Sequence, residues 1–565
     1  MIKKKINNLR SQFRNYDIDG YIIPKNDEFF SEFTNKDRLK FISNFSGSAG
    51  FAVILKNKNF LFVDGRYTIQ AKIESGKNFK IVDYSRIIDT NVFKNLKIGI
   101  DPRLFTLGQI KNFFFKNNKI TIINENLVDN IFRKPKIAGL PFYSINKKIA
   151  GESHIKKISR VSTYLKKKKY DYLFITAPEN VAWLLNIRGY DSPTSPIPNC
   201  NLILSKEKKI YLIVEINKST KLLREKKLKK EQIVDPKNLN NFLKKLKYKN
   251  ILIDEKTCSL YHEKLLKKRF TLVKKEDPIY LLKSIKNKIE IDNMINTHII
   301  DGVALTKFLY WIKNKKKLDI TEVNAQNKLE KIRKMSTKYL FPSFNTIAGS
   351  GKNAAIVHYR ATKGKTRFLK KNEIFLCDSG GQYKFGTTDV TRTICFSDQN
   401  KNIKKIFTNV LKGHIAVAQT NLNKKTTGNL IDIEARKFLK KDGLDYNHGT
   451  GHGVGFFLNV HEGPQAISKS NSTKIRKGMI LSNEPGYYKK GKFGIRIENL
   501  MYVTEIKNKL FFKNLTLAPI EKELINFNLL TNQEKNYLFN YNIEVYSKIS
   551  PFLEKNEKKW LASFI

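Results

Sequence analysis

At 565 residues and 41% hydrophobic composition the chain is too long for one ordinary core, and about three domains are expected. No apolar run reaches the length of a membrane span, and the lysine-rich start MIKKKINNLRSQF has no apolar stretch behind it, so neither membrane association nor a signal peptide is expected. The excess of 106 Lys+Arg over 51 Asp+Glu gives a formal charge of +55, which invites a polyanion; the lysines are nevertheless scattered (166–169, 313–317, 401–405) and arginine is scarce, so no specific nucleic-acid partner is expected. Cys200, Cys258, Cys377 and Cys395 form no CxxC pair, which predicts a reduced cytoplasmic chain without disulfides.

The first segment, 1–132, alternates strand and helix signals. DGYIIPKNDEFF reads as a strand running into a turn, and FAVILKNKNFLFVDGRYTIQAKI as a hairpin followed by a helix start. Pro135, Gly139 and Pro141 mark a linker. A second segment, 149–283, opens with the lysine-rich helix HIKKISRVSTYLKKKKYDYL and repeats the strand, polar turn, aromatic helix and glycine turn of the first, so two α/β domains of one type are expected. From residue 284 the pattern changes. KNKIEIDNMINTHIIDGVALTKFLYWIKN predicts a long amphipathic helix, followed by glycine-punctuated strands from about 340 to 505. The last segment, 506–565, ends in the aromatic tail WLASFI.

The chemistry lies in the third segment. EIFLCDSGGQYKFGTTDVTRTICF reads as a β-hairpin. Asp378 and Asp389 stand at equal distances either side of Tyr383 and Lys384, so a turn there sets the two carboxylates opposite each other unless a bulge shifts them. GMILSNEPGYYKKGKFGIRIENLMYV reads as a second hairpin, with Glu484 and Glu498 equidistant from Gly491. Opposed like charges destabilise a sheet, whereas two divalent cations would balance four carboxylates. Oxygen-rich ligation suits hard or borderline metals such as manganese, and two metals sharing carboxylates activate a water.

Between the hairpins lies HGTGHGVGFFLNVHEGP, residues 448–464, with three of the eight histidines. The glycines argue against a helix and for a tight loop or strand that approaches the metals closely. One neutral imidazole would complete the ligand set, leaving the others to donate hydrogen bonds to substrate. His358, in the alternating AAIVHYR, is a further candidate, while His414 reads as a packed helix residue.

HYR, LCDSGGQYKFGTTDVTRT, HGTGHGVGFFLNVHEGP, NEPGYY and GIRIEN together resemble the signatures of the aminopeptidase P (Xaa-Pro aminopeptidase) family of pita-bread metallopeptidases, family M24, in its long three-domain form. YIIPKNDEFFSEF, FSGSAGFAVI and VDGRY resemble its first domain, and APENVAWLLNIRG its second. The resemblance implies an α/β (α+β) chain: two creatinase-N-like α/β domains, a pita-bread catalytic domain and a C-terminal extension. It implies metal ligands at Asp378, Asp389, His452, Glu484 and Glu498, with Asp389 and Glu498 bridging two divalent ions, expected to be Mn2+. By the same resemblance His358 and His461 contact the substrate and its tetrahedral intermediate. Glu484 serves as general base, Arg496 braces the site, and His448 orients substrate or supports the ligands. The implied substrate is a peptide with proline second, and the implied assembly a homodimer. Prolidase, on the same catalytic fold, and a metal-free binding module are the rival readings.

Overall fold

The computed structural model describes residues 2–84, 93–114, 118–132, 139–315 and 317–565. Pro135 of the expected linker and Lys316 of the lysine run lie outside the described residues. The chain divides into two compact units, Met1–Tyr280 and Leu281–Ile565. No described helix is long and apolar enough to cross a membrane, and all four cysteines are buried free thiols.

The first unit holds two six-stranded sheets of one topology. Numbered within its own domain, each sheet runs in the strand order 4-3-2-1-5-6. In the first, Gly20–Pro24 pairs antiparallel with Phe51–Leu55 and parallel with Lys97–Ile100. In the second, Tyr172–Ile175 pairs antiparallel with Asn201–Ser205 and parallel with Asn250–Ile253. Both carry fully buried central strands such as Phe51–Leu55 and Asn201–Ser205, as a sheet covered on both faces requires. The repeat faintly legible in the sequence is therefore a repeat of architecture. The lysine-rich helix His154–Lys167 forms as expected, capped by Ser153, whose side chain accepts from the Lys156 N–H.

The second unit opens with the helix Lys288–Lys313, whose start is fixed by a capping box between Asn287 and Glu290. Its buried Leu305, Phe308, Leu309 and Ile312 pack with Phe375, Cys377, Val390 and Ile394 of the strands that flank the two aspartates. The strands expected from 340 to 505 are interrupted by two long helices, Lys401–Ala418, on which His414 is packed as expected, and Gly428–Lys441, which the sequence reading missed. The first buries Ile403, Ile406, Phe407, Val410 and Leu411, a helical period within an apolar sequence that also reads as strand. Val417, Ile431 and Ala435 of these helices pack on Ile467, Leu481, Met501 and Val503 of a second sheet, which carries His452 on the strand next to its edge and runs directly into Glu484 and Glu498 at its strand ends. Each helical layer thus backs one of the sheets that carry the candidate residues.

Candidate metal centre

Two hairpins bring the carboxylates in. In the first, Phe375–Ser379 pairs with Val390–Ile394 and Gly381–Tyr383 with Gly386–Thr387. Asp378 faces Thr391, not Asp389. The turn is centred between Lys384 and Phe385, one residue beyond the expected point, which moves the pairing by two. Asp389 is then a diagonal neighbour of Asp378, and because strand side chains alternate with period two the carboxylates still share a face. The second hairpin keeps the expected register: Gly486 pairs with Arg496 and Asn483 with Asn499, both symmetric about Gly491. Glu484 and Glu498 stand opposite each other where the ladder is interrupted between these pairs.

His452 lies on the short strand Gly451–Gly453, between the strands Glu462–Ile467 and Ile480–Asn483. The flanking glycines are required by close approach: a Cβ on Gly451 would lie 2.0 Å from the Ser482 carbonyl oxygen, and one on Gly453 2.3 Å from the Glu462 carbonyl oxygen. His452 Nδ1 lies 2.9 Å from the Gly453 carbonyl, so Nδ1–H donates there and Nε2 is the nitrogen turned toward the carboxylates. Nε2 is 3.5 Å from both Asp389 Oδ2 and Glu484 Oε1.

The donor atoms group as two ions would need. One atom each from Asp378, Asp389 and Glu498 lies within 4.8 Å of the others, as does one each from His452, Glu484 and Glu498, and from Asp389, His452 and His461. Asp389, His452 and Glu498 each belong to two groups. Asp378 Oδ1 is buried without a hydrogen-bond partner, which costs free energy unless something else satisfies it. Burial raises the Asp378 carboxyl to about 7, with Arg496 opposing and Asp389 and Glu484 adding to the rise. Burial and neighbouring acids push Glu484 and Glu498 upward as well. Burial alone would lower His452, but Asp389 and Glu484 carry it to about 9. The three carboxyls are raised first by burial and then by neighbouring acids, while His452 is raised against burial by the carboxylates it faces; divalent ions bound to these donors would favour the ionised carboxylates. The residues fit a pair of metal ions.

Arg496 ties the two hairpins together. It donates from Nη2 to Asp378 Oδ2 and from Nε to Thr391 Oγ1 at 3.1 Å, and Thr391 donates to Glu498 Oε2 at 2.8 Å. Nη1 donates to the Tyr488 hydroxyl at 2.6 Å. His448 Nε2 stands 3.0 Å from the same hydroxyl, so His448 reaches Asp378 through Tyr488 and Arg496. His461 is exposed and sets its ring edge-on to His452 at a centroid separation of 4.3 Å. His358 is not on an alternating strand. It sits in a turn after the 3₁₀ helix Gly351–Ala355, which follows the strand Ile347–Ser350 paired with the Asp378 strand. His414 is fully buried on its helix, its Nδ1 3.1 Å from the Asn483 carbonyl.

Tyr488, Thr391 and Arg333 escaped the sequence reading. Tyr488 had a signal, since the period-two alternation that starts at Glu484 places Gly486 and Tyr488 on the same face. Arg333 had none. It comes from another helix to donate to Asp301 Oδ1 at 2.8 Å and to Ser379 Oγ at 3.1 Å, beside Asp378.

Comparison with known proteins agrees with this arrangement. The description "Metallopeptidase family M24" matches residues 292–505, two creatinase/prolidase N-terminal domain descriptions match 5–123 and 133–290, and the C-terminal region of peptidase M24 matches 508–563. The chain is 36% identical to the Xaa-Pro aminopeptidase 1 of Dictyostelium discoideum over 100% of its own length and 96% of that protein's. It is 36% identical to a probable Xaa-Pro aminopeptidase P of Laccaria bicolor over 99% of its own length and 92% of that protein's. The crystal structure of the X-prolyl aminopeptidase from Caenorhabditis elegans, described as a cytosolic enzyme with a di-nuclear active site, superposes with a TM-score of 0.92 at 30% identity, covering 100% of this chain and 99% of that one. A prolidase from Pyrococcus horikoshii OT3 superposes with a TM-score of 0.52 at 26% identity and covers only 65% of this chain, though 99% of its own. The chain belongs to metallopeptidase family M24, in the multidomain group of the Xaa-Pro aminopeptidases.

Proposed function

We propose that this chain is an Xaa-Pro aminopeptidase that releases the N-terminal residue from peptides with proline in second position. The observation that carries the reading is the set of three-residue donor groups linked through shared Asp389, His452 and Glu498, with a buried, unpartnered oxygen on Asp378. The full-length likeness to Xaa-Pro aminopeptidases supports it over prolidase, which leaves a third of the chain unmatched. The reading carries with it the division into 1–132, 149–283, 284–505 and 506–565, a cytoplasmic location and a homodimeric assembly.

Asp378, Asp389, His452, Glu484 and Glu498 would hold two divalent ions, manganese in this reading, which supply a polarised carbonyl and a water of lowered pKa. A proline in second position makes the scissile amide tertiary, with no N–H for an enzyme to hold. The chain therefore works on the carbonyl side and on the leaving nitrogen. Glu484, partly exposed and 3.5 Å from His452, takes up a proton and delivers it to that nitrogen. His461 and His358 donate to the substrate oxygen as charge develops on it. Arg496 holds Asp378 in place, and His448 supports Arg496 through Tyr488. The charge of +55 supplies weak, salt-sensitive attraction to nucleic acid and no specific partner.

The test is kcat/KM for Xaa-Pro, Xaa-Pro-Yaa and Xaa-Ala-Yaa peptides with manganese present. Tripeptides with proline second should be the better substrates and the alanine series poor. A clear preference for the dipeptide would make the chain a prolidase, and tight nucleic-acid binding at physiological salt would revive the binding-module reading.

A further inference from the structure

Two lysines and a glutamate are buried together beside the metal centre. Lys283 Nζ lies 3.0 Å from Glu462 Oε2, and Lys286 Nζ bonds Glu462 Oε1; side-chain exposures are 2%, 1% and 0%. Burying charge is costly, and a buried ion pair adds little net stability over an apolar equivalent. Three charges there, two positive and one negative, call for a purpose other than stability.

The position of Glu462 supplies one. It is the first residue of the strand Glu462–Ile467 and follows His461 directly. Side chains alternate across a strand, so a Glu462 side chain locked into the interior turns His461 to the opposite, outward side. His461 is indeed exposed, edge-on to His452. Glu462 also closes the loop 454–461. It pairs with Gly453, the residue after His452, while His452 itself pairs with Ala466, a break in register that leaves Glu462 as the joint between the two histidines. A Cβ on Gly455 would lie 3.2 Å from Glu462 Oε2, so the loop presses on the same carboxylate.

The lysines belong to the segment that leads into the second unit, Lys283 on the helix Ile279–Ser284 and Lys286 just after it. The Lys286 N–H donates to the Gly478 carbonyl at 2.9 Å, two residues before the strand Ile480–Asn483 that leads to Glu484. One short segment thus grips the start of the strand that follows His461 and the approach to the strand that leads to Glu484.

We propose that Lys283 and Lys286 are positioning residues that, through Glu462, aim His461 at the substrate. The inference rests on the reading that His461 contacts the substrate. A merely structural clamp would, when weakened, lower the melting temperature and leave turnover per folded, metal-loaded molecule unchanged. A positioning clamp would lower turnover.

Lys286→Met is the informative variant, because it leaves a neutral Lys283–Glu462 pair and not an unpaired buried charge; Lys283→Met is its counterpart should the first not fold. In full-length, manganese-loaded protein the expected result is two metals per chain, KM changed less than about twofold, and kcat lower by about tenfold to a hundredfold. In a His461→Ala background the same substitution should have no further effect on kcat, since the pathway it serves is gone. Unchanged kcat in Lys286→Met at full metal content overturns the clamp while leaving the function of His461 intact. His461→Ala with wild-type kcat/KM overturns the substrate-contact reading and the clamp with it. A kcat loss of equal size in both backgrounds also overturns the clamp, because the effect would then not pass through His461.

Discussion

The two carboxylate-bearing hairpins reach the same result by different means. The glutamate hairpin is symmetric. Its pairs Gly486–Arg496 and Asn483–Asn499 share one centre at Gly491, which takes φ +71, and Glu484 and Glu498 face each other. The aspartate hairpin turns between Lys384 and Phe385 with no glycine at its tip and sets Asp378 opposite Thr391. Its geometry is enforced from outside, by Arg333 and Asp301 at its middle and by Arg496 at Asp378. A hairpin whose turn chemistry fixes its register can be read from sequence, and one whose register is imposed by tertiary contacts cannot.

The largest effect should come from breaking the symmetry of the metal groups. Asp389 from one hairpin and Glu498 from the other each belong to two donor groups. Asp389→Ala and Glu498→Ala should therefore each lower kcat/KM by about a thousandfold or more and reduce bound metal. His452→Ala should do the same. Metal analysis alongside kinetics checks this. Full metal content in either carboxylate variant would mean that the hairpins do not share the ions.

The next effect concerns the tie between the hairpins. Arg496→Met removes the donor to Asp378 and Thr391 while keeping the bulk of the side chain. Loss of a residue that orients ligands lowers activity by about tenfold to a hundredfold. Tyr488→Phe, which removes only one partner of Arg496, should lose less. Equal losses in the two would show that Arg496 acts chiefly through Tyr488 and not on Asp378.

These cases also mark how far the sequence could be read. The pairing of the four carboxylates, the second hairpin and the doubled α/β topology were legible because each rests on local spacing: alternation, a turn glycine, a repeated element order; the choice of His452 among the three clustered histidines rested on the family resemblance. The two-residue shift at Asp378, the turn at His358 and the helix at 428–441 were not legible, and of the helix at 401–418 only the stretch around His414 was. Arg333 lies 46 residues from Ser379, and Asp301 lies 82 residues from Tyr383. No pattern within a strand records partners that distant.

A smaller effect should follow from loosening the aspartate hairpin. The buried Tyr383 hydroxyl donates to Asp301 Oδ1 at 2.6 Å, and Asp301 also accepts from Arg333. Tyr383→Phe removes one hydrogen bond to a carboxylate that keeps its arginine. The cost should be about 1.5–3 kcal/mol in urea unfolding, with kcat/KM nearly unchanged. A large fall in activity with unchanged stability would place Tyr383 in the chemistry and not in the support of the hairpin.

The smallest effect tests the glutamate hairpin at its tip. Gly491 occupies the left-handed region, and a Cβ built on it meets nothing within 4 Å. Gly491→Ala therefore creates no clash. It pays only the backbone penalty of a non-glycine residue at positive φ, about 1–2 kcal/mol, reduced by the lower entropy of the unfolded chain. A net loss of about 1 kcal/mol is expected, with activity retained. Gly491→Asn should lose less, because asparagine tolerates this conformation. Gly494, three residues on, is the control. A Cβ there would lie 1.9 Å from the Ala354 carbonyl oxygen, so alanine must move backbone in the strand that carries Arg496. Gly494→Ala should cost more stability than Gly491→Ala and should lower activity as well. If Gly491→Ala proved as damaging as Gly494→Ala, the tip would owe its register to packing, and the contrast between the two hairpins would collapse.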